Sequence, residues 1–326
     1  MERTSDVVIV GAGPAGLTAG LYTGRGNLST IIVEKMGPGG ELLNTELIED
    51  YPGFKSITGH EMAGIFEEQA LEFGATIEYG TVTEIYTEGK EKVVKTEEGD
   101  EYRAKAVIVC SGGTARKLGV PGEAELAGRG VSYCAICDGA FFREQVLAVV
   151  GGGDAAVEEA AFLTRYASKV LLIHRRDKLR AERVLQERLF ANNKIEVVWD
   201  TVVEEIAGEG KVQRILTRNV VDGTQKTLEV GGIFIYVGFD PTSNIFRDPI
   251  EKDEMGFIIT DDRMETSQPG IFCAGDVRHQ FVRQITNATG DATTAAVAVT
   301  RLLESLADQE RESPEPGLKA TASQYP

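Results

Sequence analysis

The chain is poor in the residues that build metal centres or disulfide scaffolds, with four cysteines (Cys110, Cys134, Cys137, Cys273) and three histidines among 326 residues. A structural zinc site takes about four ligands, and no second CxxC is present to complete one. Long apolar runs are missing too. The longest, such as Val146 to Val150, are strand-sized and far short of the roughly 20 residues of a membrane helix. The start, Met1-Glu2-Arg3-Thr4-Ser5-Asp6, runs into an apolar strand without the basic region and apolar core of a signal peptide, so the expected location is the cytoplasm. Positive charge is scarce: 34 Lys and Arg against 51 Asp and Glu leave a net charge of −17. That field opposes general binding to nucleic acid or anionic membrane, although a local basic cluster can still hold a small anion.

What is present is the composition of a folded globular chain, 42% hydrophobic and 26% charged, at a length where one core stops growing and two are expected. The pattern supplies both. Strand Asp6 to Val10, a glycine turn, helix Pro14 to Gly26 and strand Ser29 to Glu34 make the start of a dinucleotide-binding βαβ unit. Strand Gln145 to Val150, turn Gly151 to Gly153, helix Asp154 to Ala167 and strand Lys169 to His174 repeat it. β-rich stretches follow each start, at Ala75 to Lys105 and Ile195 to Val230. Near the end come strand Gly270 to Ala274, Gly275-Asp276 and an Ala-rich helix from Asp291 to about Leu306, then a Glu/Ser/Pro/Ala-rich segment expected to be a mobile tail (309–326). Gly112 to Gly122 and Gly238 to Pro241 carry the Gly and Pro of domain crossings.

Three motifs carry chemistry. Gly11-Ala12-Gly13-Pro14-Ala15-Gly16 has the spacing for a tight turn, close approach of backbone to a pyrophosphate, and an anion at a helix N-terminus. Glu34, at the end of the next strand, is placed to accept hydrogen bonds from a ribose. In the second unit Gly151, Gly153, Asp154 and Ala155 take the turn, but the strand ends in His174-Arg175-Arg176, with Arg180 beyond, instead of an acid. Guanidinium groups there match the 2′-phosphate of NADP, whereas a carboxylate would favour NAD. The third motif, Cys134-Ala135-Ile136-Cys137, allows a disulfide that opens and closes in turnover. Asp138 beside it is a candidate proton donor or acceptor, and Cys110 and Cys273, inside apolar strands, read as buried structural thiols.

With these residues placed, the chain resembles the low-molecular-weight thioredoxin reductases over roughly residues 5–306. The resemblance rests on Gly11 to Gly16, Tyr51-Pro52-Gly53, Gly128-Arg129-Gly130-Val131, Cys134 to Gly139, Gly151 to Ala160, His174 to Ala181, Gly275-Asp276-Val277 and Arg283-Gln284, in that order. It implies an α/β fold of two Rossmann-like, three-layer ββα domains: an FAD domain (1–118 and 246–326) interrupted by an NADPH domain (119–245) that carries the CxxC. The implied FAD residues are Gly11, Gly13, Pro14, Ala15 and Glu34 for the adenosine diphosphate part. Gly40, Gly275, Asp276, Arg283 and Gln284 lie along the ribityl and flavin parts. Glu41 and Asp50 belong to the same set, standing where relatives commonly carry Gln and Asn and adding negative charge near the expected flavin. NADPH falls to Gly151, Gly153, Asp154, Ala155, His174, Arg175, Arg176 and Arg180. The resemblance also implies hydride transfer from NADPH to FAD, reduction of Cys134–Cys137 with Cys137 next to the flavin, and attack by Cys134 on oxidised thioredoxin. It further implies a homodimer and rotation of one domain against the other. Ala140 replaces an aromatic frequent before Phe141-Phe142 at the surface expected to dock the partner. A flavoprotein serving a peroxidase-linked carrier, or a non-catalytic flavin and dithiol sensor, are the alternatives; no extra N-terminal thioredoxin-like domain is seen, which weighs against the first.

Overall fold

The computed structural model describes residues 2–45 and 47–312. These fall into two compact units. The first takes the chain up to Gly40, Ala63–Gly112 and what is described from Ser243 onward; the second takes Glu41–Met62 and Gly113–Thr242. The second unit thus interrupts the first, with later crossings at Gly112 and Thr242. Residues 41–62, which the sequence division left inside 1–118, pack with the second unit.

The first unit is built on parallel strands in the order Thr76–Tyr79, Thr30–Glu34, Glu2–Val10, Glu101–Val109 and Ile271–Cys273. Val7 stands opposite Thr30 and Ala106, and Ile9 opposite Ile32 and Ile108. Successive side chains on a strand point to opposite faces, and here both faces are covered. Val7 and Ile9 pack with Leu17 of the helix Pro14–Arg25 and with Ala292 and Val299 of the helix Ile285–Glu312. Val8 and Val10 pack with Ile85, Val94 and Tyr102 of an antiparallel meander, Val82–Glu88 and Glu91–Thr96, that grows from the first half of Glu101–Val109. Helices, parallel sheet and meander are the three layers anticipated from the sequence.

The second unit repeats that plan with other residues. Its parallel strands run Val131–Ser132, Gly232–Tyr236, Val146–Gly151, Lys169–Ile173 and Ile195–Val198. Leu147 and Val149 face Ala156 and Ala160 of the helix Asp154–Leu163, while Ala148 and Val150 face Ile206 and Ile215 of an antiparallel sheet, Thr201–Ala207, Arg214–Asn219 and Gln225–Glu229. In the linking segments Gly113–Ala115 pairs with Phe239–Pro241.

Two helix boundaries differ from expectation. The helix from Asp154 ends at Leu163, short of Ala167, because the N–H groups of Thr164, Arg165 and Tyr166 bond three residues back, to Ala161, Phe162 and Leu163, and the chain tightens out of the α-helix. The last helix starts at Ile285 instead of Asp291 and runs on to Glu312, past Leu306. Its final turns are charged helix formers with an Arg311–Asp308 pair three residues apart, which holds a helix without an apolar stripe. The expected tail therefore begins inside a helix, and residues 313–326 lie outside the described residues. Among the described residues no helix is long and apolar enough to cross a membrane.

Candidate active site

Cys134 and Cys137 form a disulfide with their Cα atoms 5.4 Å apart. Cys134 has extended backbone and caps the single turn Ala135–Asp138, and the Cys137 N–H donates to its Sγ at 3.1 Å. The turn is fixed from outside as well: Ser132 Oγ accepts the Cys134 N–H at 3.1 Å, and the Tyr236 hydroxyl oxygen accepts the Ala135 N–H at 2.8 Å. Burial, then the charge of Glu159, pushes the Tyr236 phenol above its ordinary range, so it remains a neutral hydroxyl. Cys137 is exposed, while Cys134 and Asp138 are half-buried. Asn44, from the short turn Gly40–Asn44, brings its Oδ1 to 3.4 Å from Cys134 Sγ and 3.8 Å from Cys137 Sγ. The sequence reading missed Asn44 and Tyr236, which stand 90 residues before and 101 after the residues they touch. Cys110 and Cys273 are buried free thiols with their pKa values raised by burial, in keeping with a structural part.

In the first unit Gly11 has φ +98°, and a Cβ on it would stand 2.5 Å from Cys110 O. A Cβ on Gly16 would stand 1.8 Å from Gly11 O, so helix and strand touch backbone to backbone. Gly13 caps the Pro14–Arg25 helix, whose start has no side-chain cap and no acid in its first turn. Two further loops close on it: Gly40 faces Gly13, and a Cβ on Gly275 would meet Ala15 Cβ at 2.9 Å, which sets Asp276 beside the turn. Glu34 Oε2 accepts the Ala12 N–H at 2.7 Å and Oε1 the Met36 N–H at 2.9 Å. Arg283 lies 3.9 Å over the Phe257 ring; its Nε, and Oε1 of Gln280, are buried without a hydrogen-bond partner among the described residues. Gln284 stands just before the last helix, its carbonyl accepting the Ala288 N–H. Glu41 Oε2 accepts from Asn44 Nδ2 at 3.1 Å, and Asp50 is close enough to Glu158 for the two carboxylates to repel.

In that unit a Cβ on Gly151 would stand 2.4 Å from Tyr236 O, and one on Gly152 would enter the His174 ring at 2.2 Å, whereas Gly153 has nothing within 4 Å. His174 is 5% exposed, with Nδ1 2.8 Å from Gly151 O and Nε2 2.9 Å from Lys178 O. It therefore ties the glycine turn to the basic loop, and any hold on a ligand is indirect. Asp154 Oδ1 accepts the Glu182 N–H at 2.7 Å, while Ala155 is exposed in the first turn. Arg175, Arg176 and Arg180 are exposed, and their guanidinium groups make no ion pair among the described residues.

Residues 5–292 match the family model of the pyridine nucleotide-disulphide oxidoreductases, and the thioredoxin reductase of Bacillus subtilis is 50% identical over 306 residues, 94% of this chain and 96% of the relative. The chain belongs to the pyridine nucleotide-disulphide oxidoreductases, among the thioredoxin reductases. Solved structures agree with that. Thioredoxin reductase of Lactococcus lactis superposes with a TM-score of 0.90 at 47% identity, covering 92% of this chain and 99% of that one. The enzyme of T. acidophilum gives 0.89 at 36% identity, covering 93% and 99%.

Flavin and pyridine nucleotide are the groups a pyridine nucleotide-disulphide oxidoreductase of this kind uses, and the residues fit them. At Gly13 an uncapped helix start without an acid suits a diphosphate, and the buried Arg283 Nε and Gln280 Oε1 lack the polar partner that a bound ligand would provide. At Gly153 the open Cα and the three unpaired guanidinium groups suit a second, more highly charged nucleotide.

Proposed function

We propose that the chain is a thioredoxin-disulfide reductase that draws electrons from NADPH through FAD and hands them, by way of Cys134 and Cys137, to oxidised thioredoxin. The observation that carries this reading is the CxxC disulfide set in a unit whose second strand leads into exposed arginines that make no ion pair among the described residues. FAD would be held by Gly11, Gly13, Pro14, Ala15, Glu34, Gly40, Gly275, Asp276, Arg283 and Gln284, and NADPH by Gly151, Gly153, Ala155, Arg175, Arg176 and Arg180, with His174 and Asp154 fixing the loops behind them. When bound, these groups supply a hydride and an electron pair for opening the disulfide.

The chain's own residues then direct thiol exchange. Exposure favours Cys137 as the outward nucleophile. The hydrogen bond favours Cys134, because a thiolate there keeps the Cys137 N–H at 3.1 Å, and a hydrogen bond to a charged group is worth about 1.5–3 kcal/mol. Exposure only grants access, whereas the donor acts on the thiolate itself and so decides between the two. Cys134 therefore attacks the partner disulfide, Cys137 attacks Cys134 in the mixed disulfide to release dithiol thioredoxin, and Asp138 handles the proton. Phe141, 77% exposed, offers an apolar contact beside the pair, while Phe142 is turned inward, edge-on to Phe234 with centroids 5.6 Å apart. The enzyme works in the cytoplasm as a homodimer, the setting and assembly that the family resemblance implies.

The test is reduction of oxidised thioredoxin by the purified holoenzyme with NADPH and NADH side by side, alongside Cys134→Ser and Cys137→Ser. Fast turnover preferring NADPH is expected, with neither variant turning over and only Cys137→Ser trapping a mixed disulfide with thioredoxin. Trapping by Cys134→Ser instead reverses the two thiol roles. Flavin reduction with thioredoxin left oxidised removes the assigned partner.

A further inference from the structure

Three groups meet in a line on the second unit: the carboxylate of Glu41, the amide of Asn44 and the two sulfurs. Residues three apart on a tight i→i+3 turn lie one above the other, and the turn Gly40–Asn44 places Glu41 under Asn44 in this way. Glu41 Oε2 accepts from Asn44 Nδ2 at 3.1 Å. A carboxylate has nothing to donate, so the amide must keep its NH2 toward Glu41 and its oxygen toward Cys134 and Cys137. That orientation matters only once the disulfide has opened. An amide oxygen accepts from a thiol S–H but faces a thiolate with its lone pairs, whereas the reversed amide would donate to the thiolate and stabilise it.

We infer that Glu41 is a positioning residue that locks the Asn44 amide oxygen onto the redox pair, holding the reduced cysteines as thiols until a partner disulfide arrives. Asn44 is the group that touches the reacting sulfurs, and Glu41 acts through it. The Cys137 N–H at Cys134 Sγ works in the opposite sense, so the reactivity of Cys134 is set by two opposed hydrogen-bonding groups and not by one. The other titratable groups around the turn are also acidic or neutral: Asp138 on the turn itself and Glu159 on the helix Asp154–Leu163, which with Glu41 act on the neutral Tyr236 hydroxyl of the strand Gly232–Tyr236. This setting restrains reaction with stray oxidants and small disulfides, since the thiolate and not the thiol is the nucleophile.

The inference rests on the dithiol role proposed above, and its test does not use NADPH. Holoenzyme reduced with a phosphine is alkylated with iodoacetamide across pH, and Cys134 and Cys137 are followed by peptide mass, with buried Cys110 and Cys273 as internal controls. In Glu41→Gln the amide is free to turn, and the alkylation midpoint is expected to fall by about one pH unit, the size of a modest charge-assisted hydrogen bond. The rate at acidic pH rises only about threefold, because a less basic thiolate is also a weaker nucleophile. In an Asn44→Ala background the same Glu41→Gln change is expected to move nothing further. An unmoved midpoint in Glu41→Gln, or an equal fall with Asn44 absent, overturns the inference, the second outcome showing that Glu41 acts by its charge alone. Failure of NADPH to reduce the pair would count against the proposed function and leave these curves unaffected.

Discussion

The glycine turn at Gly11–Gly16 and the one at Gly151–Ala156 each follow a buried parallel strand and open a helix without a side-chain cap. Their glycines are there for different reasons. In the first, Gly16 lets the helix rest on the backbone of Gly11, and no side chain separates the two. In the second, Ala156 takes the third position and its Cβ fills the space that a side chain on Gly151 would need, 2.5 Å away, while Gly152 makes room for the His174 ring. The tips diverge further. Glu34 accepts the Ala12 N–H of the glycine turn with one carboxylate oxygen and the Met36 N–H with the other, whereas Arg175, Arg176 and Arg180 make no ion pair among the described residues. One scaffold thus shapes its turn by backbone contact and an acid, the other by an inserted ring and exposed cations, and the proposed assignment of two different dinucleotides rests on that difference.

The comparison breaks most sharply at the third glycine. In Gly16→Ala the new methyl would sit 1.8 Å from a carbonyl oxygen of the backbone, and no flexible side chain is there to give way. A loss of about 3 kcal/mol or more is expected, seen as a large fall in Tm and protein isolated without yellow colour. Gly153→Ala, into open space at a helix cap, should cost about 1 kcal/mol or less. Equal falls in Tm for the two would mean that the turns are packed alike after all.

Those turns were legible in the sequence because they are local: apolar strands, glycine spacing and the acid or arginine at the next strand end all lie within one βαβ unit. The helix start at Ile285-Thr286-Asn287-Ala288-Thr289-Gly290 was not, since β-branched residues and glycine are weak helix formers; burial of Ala288, Ala292 and Ala295 against the first sheet imposes it. His174 read as part of a basic tip, yet its ring is held inward between Gly151 O and Lys178 O while Arg175 and Arg176 stay outside. Nothing local marked Asn44 or Tyr236, whose contacts with the cysteine turn exist only once distant segments have folded together. Glu41 was singled out from its position in the chain, but the hydrogen bond to Asn44 sets it beside the sulfurs.

The next effect in size belongs to the arginine tip. Replacing Arg175 and Arg176 together by Ala removes hydrogen bonds to a 2′-phosphate, each worth about 1.5–3 kcal/mol, so KM for NADPH should rise about a hundredfold or more. The value for NADH, which has no such phosphate, should change by less than about threefold by the same reasoning. Steady-state kinetics with both nucleotides decides the matter. Equal losses would show that the arginines serve the fold and not the nucleotide, and would remove the main contrast with Glu34.

The smallest effect lies one residue beyond each uncapped start, where the first helix has Pro14 and the second has Asp154. An acid in the first turn favours the helix by about 0.3–1 kcal/mol, and Asp154 Oδ1 also holds the Glu182 N–H. The same charge competes with a bound diphosphate for the positive helix end. Asp154→Asn keeps an oxygen for the Glu182 N–H and drops the charge. It should lower KM for NADPH by about two- to fivefold while costing a few tenths of a kcal/mol in stability. A rise in KM would mean that the carboxylate itself accepts hydrogen bonds from the nucleotide, as the sequence position suggested. In that case the second site, like the first, would use an acid as a ligand, and the two turns would differ in charge only at their arginine tip.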